Sequence, residues 1–453
     1  MTDSSRFSQL RNNTFRFLLV SWLLTFLPIA AWAGDEAVLA RLKQLPGVTN
    51  VKEILSSVYD NKYVMSVEQE VDPIHHQGGT FKQRVIVCHV GFDRPTVLVT
   101  EGYDANYALD EDYQEELSRL LDANLIFVEY RYFAQSTPNP CNWKYLTVEN
   151  SLYDLHHVNK LFHSLYSGKW IATGISKGGQ TCMFYRAWFP DDVALSVPYV
   201  APLNKDVEDR RPQKFIEDEV STPDNRQIVK DFQLTALKRK AALMPSFEKL
   251  VNDKHLTFRV PLSEIYDYCV LEYSFAVWQW GHSMTDIPAS NAPDSVIFKE
   301  LVNISGPKYF AEESPFLPFN IQAARELGYY SYDVKPLRPY ISLSSADGYM
   351  HRIMLPEEFK DMEFDPTLYK KTVDFLKHND PEMIYIYGSL DPWSSTGVAQ
   401  LKFLKRKNNI HVFTLPGGCH STRIKSFPKD TRDQILKIFE KVLGEEVHWK
   451  EAI

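Results

Sequence analysis

The chain has 453 residues, 44% of them hydrophobic and 13% aromatic, with a formal charge of −8. That is enough apolar material for a large core and more chain than one compact domain takes, so a disordered or fibrous protein is excluded and a core plus a second unit is expected. The acidic balance, without any basic block, argues against nucleic acid or an anionic membrane as the partner.

At the N-terminus Arg6, Arg11 and Arg16 precede an apolar stretch from Phe17 to Ala33, broken by Pro28 and closing on Ala31-Trp32-Ala33. Basic, apolar and small-residue regions in that order form the pattern of a cleavable leader. Residues 1–33 are therefore expected to be removed and the protein to be secreted or periplasmic. The stretch sits at the lower edge of spanning length, and its small-residue site favours release over anchoring. Loss of Asp3 and the three arginines takes the formal charge from −8 to −10. No later segment is long and apolar enough to span a bilayer, so no stable membrane insertion is expected after cleavage.

Beyond Pro46, "KYVMSVEQEVD" and "FKQRVIVCHVGF" read as an antiparallel hairpin joined through "HHQGGT". Four short β-rich runs follow, "PTVLVTEGY", "ANLIFVEYRY", "KWIATGIS" and "ALSVPYVAP", separated by helical segments. That alternation predicts parallel strands with crossover helices. One helix is expected over 148–165 and the next from about Gly178. From Asn204 charged helical segments dominate without a convincing strand. The strand and helix rhythm returns with "YKKTVDFLKHN", the strand "EMIYIYG", a helix "GVAQLKFLKR", the strand "NIHVFTL" and an amphipathic helix from Lys429 to Leu443. The expected organisation is an α/β domain in two parts, 34–203 and 361–453, interrupted by a helical cap over 204–360.

Within "WIATGISKGGQT" an apolar strand breaks at Gly174, and Ser176 stands between glycines before a helix begins. Taken alone this is equally a glycine-rich turn or a nucleophile elbow, in which Gly174 and Gly178 are small to avoid neighbouring backbone. A serine nucleophile needs a base and an acid to orient it, in chain order Ser, Asp, His. Asp391 follows the strand "EMIYIYG" and His420 follows "NIHVFTL", both at the carboxyl ends where open α/β sheets build their sites. Asp380 and His411 lie at the opposite edge. Separately, Asp391 is equally a turn residue before Pro392 and His420 a surface-loop histidine. Three residues at three strand ends in the right order make the catalytic assignment the better one. The oxyanion hole would take the backbone N–H of Lys177 and, from the loop after "VLVTEGYD", that of Tyr103, with Gly102 permitting close approach.

Five scattered cysteines, Cys88, Cys141, Cys182, Cys269 and Cys419, contain no C-x-x-C pair, and the odd count leaves at least one thiol unpaired. His75-His76 and His156-His157 are adjacent rather than four apart, and no H-E-x-x-H is present. Neither a dinucleotide-binding nor a P-loop glycine pattern occurs. No metal and no other cofactor is expected.

Together "GISKGGQT", "VEYRYFAQSTP", "YLTVENSLYDL", "GSLDPWS" and "GGCHS" resemble the secreted bacterial tripeptidyl aminopeptidases, serine peptidases of the α/β-hydrolase fold. The same blocks are similar to the prolyl carboxypeptidase and dipeptidyl peptidase II family. "LEYSFAVWQWG" extends the resemblance into the cap. By motif it makes Ser176 the nucleophile, His420 the base and Asp391 its orienting acid. It also implies release of short peptides, tripeptides among them and often after proline, through an acyl-enzyme. One departure is Tyr130, where the carboxypeptidase branch has histidine, so carboxypeptidase specificity does not carry over.

Free α-ammonium groups are bound by carboxylates, and a lid restricts a peptidase to chain ends. Glu101, beside the oxyanion strand, and Glu272, on the aromatic cap helix, are the candidate acids. Glu129 and Arg131 are read as a structural ion pair. Trp278, Trp280 and Trp393 either line a pocket for a proline ring or pack the cap on the core. The resulting expectation is a capped serine exopeptidase acting on peptides. An esterase on the same fold, or an inert binding protein with a relic triad, are the alternatives that substrate assays and fluorophosphonate labelling separate.

Overall fold

The computed structural model describes residues 37–450, so the expected leader, 1–33, lies outside the described residues. Nine strands form one sheet: β1 (Val48–Glu53), β2 (Asn61–Asp72), β3 (Gln77–His89), β4 (Thr96–Thr100), β5 (Asn124–Val128), β6 (Trp170–Ile175), β7 (Leu195–Tyr199), β8 (Met383–Gly388) and β9 (Ile410–Leu415). Their order is β1-β2-β3-β5-β4-β6-β7-β8-β9. The expected hairpin is β2 and β3, paired antiparallel, and every pair from β5 across to β9 is parallel. This is the α/β-hydrolase arrangement with one additional antiparallel edge strand. That edge strand, β1, is largely solvent-facing and carries little apolar signal in its sequence.

Side chains alternate across the sheet as strand geometry requires. Leu98, Ile126, Ala172 and Tyr385 join one core layer, whereas Val97, Val99, Leu125, Phe127 and Ile171 join the other. The helix Val148–His163 covers the first face, and the closing helix Lys429–Leu443 packs Ile435 and Phe439 into the second. Between β7 and β8 the described elements are helical, and the longest is Leu262–Trp280. Their apolar residues form a third cluster with Tyr130 and Trp393. No described helix is long and apolar enough to cross a membrane.

Two expectations are corrected. The helix proposed for "GVAQLKFLKR" is instead two short 3₁₀ turns, Val398–Gln400 and Lys402–Arg406, split by an extended Leu401. Gly397 packs against the Tyr387 ring and the Val398 N–H donates to the Tyr387 hydroxyl at 3.1 Å, which pins this segment to β8. Glu129 and Arg131 are not partners: Glu129 pairs with Arg84, and Arg131 binds Asp154 at 2.7 Å. Both lie just beyond β5, where β3 offers Glu129 and the helix Val148–His163 offers Arg131 an opposite charge.

The turn at Ser176 fixes where the sheet meets the next helix, Lys177–Trp188. A Cβ on Gly174 would sit 2.3 Å from the Gly178 carbonyl oxygen, and one on Gly178 would sit 2.8 Å from that of Thr100. Gly174→Ala is expected to lose about 3 kcal/mol or more in denaturant unfolding, because backbone must move. Gly444→Ala, at a helix end with φ 80° and open space around it, should lose only about 1 kcal/mol.

Candidate active site

Strand β6 delivers Ser176 at φ 57° and ψ −118°, a conformation rare for a residue with a side chain. The turn is held on both sides. The Ser176 N–H donates to the Tyr199 carbonyl at 2.9 Å, and the Gln180 N–H donates to the Ser176 carbonyl at 2.9 Å. Lys177 opens the helix, so its own N–H has no intrahelical acceptor. Gly102 lies close enough that a Cβ there would come within 2.7 Å of Lys177 Cβ.

His420 and Asp391 are brought together from the ends of β9 and β8. His420 Nδ1 lies 2.7 Å from Asp391 Oδ2, and both residues are buried. Asp391 Oδ1 accepts the Trp393 N–H at 3.1 Å, so one carboxylate oxygen holds the imidazole and the other holds its own turn. The His420 N–H donates to the Gln279 carbonyl at 2.8 Å. Gln279 and Trp393 both line the cavity of about 70 Å³ onto which Ser176 opens. No direct hydrogen bond joins the Ser176 hydroxyl to His420 among the described residues; the two sides meet at Gln279.

Glu272 faces a neighbouring cavity of about 300 Å³, which shares Tyr103, Gln279, Phe319 and Tyr329 with that of Ser176. Its Oε2 accepts from both the Tyr330 and Tyr332 hydroxyls at 2.7 Å. Only 7% of the residue is exposed. Burial pushes its carboxyl up to about 7, against the two tyrosine hydrogen bonds, which favour the ionised form. No cation pairs with it among the described residues.

Two expected site residues, Glu101 and Trp278, stand elsewhere, and the N–H of a third, Tyr103, is otherwise engaged. Glu101 is buried, accepts from the Tyr107 hydroxyl at 2.7 Å, and faces a separate cavity with Ile175, Tyr199 and Arg423. The Tyr103 N–H donates to Glu101 Oε1 at 3.2 Å, so the expected second oxyanion donor is engaged by the carboxylate two residues before it. Trp278 lies on the far side of Leu262–Trp280. Residues 272, 276 and 279 of that helix face the Glu272 cavity, whereas 271, 275 and 278 face another, as a period of 3.6 requires. Trp280 instead stands at the rim, 62% exposed, edge-on to His420 with ring centroids 5.6 Å apart. Trp393 does line the Ser176 cavity.

The sequence reading missed Gln279, the tyrosines of "GYYSY" and the side chain of Lys177. Only the tyrosine run offered a signal, as an aromatic cluster in a charged region. Lys177 is buried, with Nζ 3.4 Å from the centre of the Tyr130 ring, and donates to the Gly102 carbonyl. Burial in this aromatic cage lowers its ammonium well below the usual lysine range.

A sequence model of the PS-10 peptidase S37 family matches residues 34–442. The prolyl tri/tetrapeptidyl aminopeptidase of Streptomyces mobaraensis is 29% identical over 403 residues, covering 86% of this chain and 82% of that protein. The lysosomal Pro-X carboxypeptidase of Mus musculus is 27% identical over 160 residues, 31% of this chain and 32% of its own. The proline iminopeptidase structure from Mycobacterium smegmatis overlaps 87% of this chain and 98% of its own, at 11% identity and a TM-score of 0.39.

Glu272 should titrate near 7 in the free protein, followed by the carboxylate infrared band lost in Glu272→Gln. Replacing Tyr330 and Tyr332 by phenylalanine removes two bonds to the charged form and should move that midpoint upward. A midpoint near 4.5 in the parent protein would mean that the carboxylate is solvated.

Proposed function

Since the chain belongs to the PS-10 peptidase S37 family, we propose that it is a serine exopeptidase releasing short peptides, tripeptides among them, from free N-termini. Ser176 is the nucleophile, His420 the general base and Asp391 the acid that orients it. The observation that carries the N-terminal preference is Glu272: a buried carboxylate with no cation beside it among the described residues, in a cavity adjoining that of Ser176. A peptide α-ammonium placed there gains a charge-assisted hydrogen bond and satisfies the carboxylate. The helices between β7 and β8, the cap expected over 204–360, supply Glu272 and most of the lining of its cavity. Phe319, Tyr329 and Trp393 give the Ser176 cavity aromatic faces suited to a proline ring.

In the proposed cycle His420 takes the Ser176 proton as its oxygen attacks the scissile carbonyl, while Asp391 holds the opposite ring nitrogen. The Lys177 N–H faces the developing oxyanion. Collapse passes the proton from His420 to the departing amine and leaves an acyl-enzyme, which water attacks by the same route in reverse. The basic, apolar and small-residue order of residues 1–33 supports export by a cleavable leader. N-terminal sequencing of the exported enzyme should begin after Ala33.

Ser176→Ala and His420→Ala should each lower kcat by about four orders of magnitude or more with the fold intact, and Asp391→Asn somewhat less. Near-normal turnover by Ser176→Ala would remove the nucleophile assignment. Acetylating the N-terminus should lower kcat/KM by roughly two to three orders of magnitude, since the carboxylate stays buried and unpaired. Glu272→Gln should narrow that gap. For free peptides kcat/KM should fall below pH about 7 as Glu272 protonates, and again above about 8 as the peptide amine loses its proton. Equal cleavage of free and acetylated peptides would leave a capped hydrolase, with simple esters as the next substrates.

A further inference from the structure

The loop carrying His420 leaves the sheet at Leu415 and reaches the closing helix at Lys429 with only the 3₁₀ turn Ile424–Ser426 between. Its placement against Ser176 is therefore set by side contacts. Asp391, from the turn after β8, and the Gln279 carbonyl, from the helix Leu262–Trp280, supply two of them. A third comes from Glu116, in the short helix Glu116–Leu120. Its Oε1 accepts the Lys425 N–H at 2.8 Å, and its Oε2 accepts both the Ile424 N–H at 3.1 Å and the Tyr199 hydroxyl at 2.7 Å. Tyr199 is the residue whose carbonyl receives the Ser176 N–H. Arg423 continues the strap, donating to the His420 carbonyl at 3.2 Å and the Thr422 carbonyl at 2.8 Å while its guanidinium lies 5.6 Å from the centre of the Tyr199 ring.

We propose that Glu116 is a positioning residue for the reaction: one carboxylate fastens the strand end that holds the serine turn to the loop that holds the histidine. This rests on the assignment of Ser176 and His420 as nucleophile and base. Both ends must agree to a fraction of an ångström for proton transfer, and a displacement of about 1 Å costs on the order of a hundredfold in rate. A neutral amide at Glu116 offers one acceptor oxygen for three donors, so the strap loosens without opening a cavity. Substrate contacts stay in place, because Glu116 lies outside the cavities of Ser176 and Glu272.

The test compares the parent enzyme with Glu116→Gln, Tyr199→Phe and the double variant. Active sites are counted by fluorophosphonate titration, so loss of folded protein does not register as loss of rate. Glu116→Gln should lower kcat per titrated site about ten- to a hundredfold and slow fluorophosphonate labelling in parallel, with KM within about twofold. Tyr199→Phe should lose less, and the double variant no more than Glu116→Gln alone, since both changes cut one strap. Glu115→Gln, which alters only the adjoining helix cap at Ser118, should leave kcat per site unchanged. An unchanged kcat per site in Glu116→Gln, or fully additive losses in the double variant, overturns the proposal. If Glu116→Gln does not fold, Tyr199→Phe decides alone: kcat per site equal to the parent's overturns it. Failure of the underlying triad is a separate result, seen as Ser176→Ala retaining turnover.

Discussion

Ser176 stands in a backbone conformation that costs a residue with a side chain on the order of 1–3 kcal/mol, and neighbours on three strands are shaped to keep it there. The end of β7 accepts its N–H, the end of β4 passes close enough to require glycine at 178, and Gly174 lets the following helix fold back against its own strand. Relaxing the turn would disrupt those strand ends together. The rest of the region is arranged around that rigid point: the Gly102 loop approaches from β4, the Asp391 turn from β8 and the His420 loop from β9.

Burial then sets the electrostatics. Removing a carboxylate from water costs several kcal/mol, and each hydrogen bond to a charged group returns about 1.5–3. Asp391 has His420 and a backbone N–H, one on each oxygen. Glu272 has two tyrosine hydroxyls on a single oxygen, and the balance falls short. Its rise to about 7 from an ordinary 4.5 corresponds to about 3 kcal/mol against ionisation. A bound cation relieves that deficit. Glu272 is thus poorly solvated by the protein alone, which is what the proposed ammonium site requires.

Two other buried ion pairs are of a different kind. Arg131 gives two hydrogen bonds of 2.7 Å to Asp154 and three more to backbone carbonyls, and Glu129 receives Arg84, the Ser136 hydroxyl and the Ala105 N–H. Satisfied to this degree, they hold the β3, β5 and β4 loops in register and have no capacity left for a ligand. Lys177 falls between the two cases. Its ammonium rests on the Tyr130 ring and the Gly102 carbonyl, which draws the loop after β4 onto the helix after Ser176.

The strands around Ser176, the two turns bearing Asp391 and His420, and the closing helix were legible in the sequence because each is specified locally: apolar runs of strand length, glycines where backbone passes close, and a 3.6-residue apolar period in Lys429–Leu443. So was the family, through motifs that are contiguous in the chain. The partners of the charged residues were not legible. Glu129 with Arg84, Glu101 with Tyr107, and Glu116 with the His420 loop each depend on which distant segment lies nearest, and sequence spacing says nothing of that. Spacing puts Trp278 and Trp280 on different sides of one helix, but not which side meets the site, since that depends on how the helix is rolled against the sheet. Local chemistry determined the elements and the chain order of Ser176, Asp391 and His420; packing decided which buried carboxylates gain cations and which, like Glu272, gain only neutral donors, because desolvation is a property of the surroundings and not of the residue.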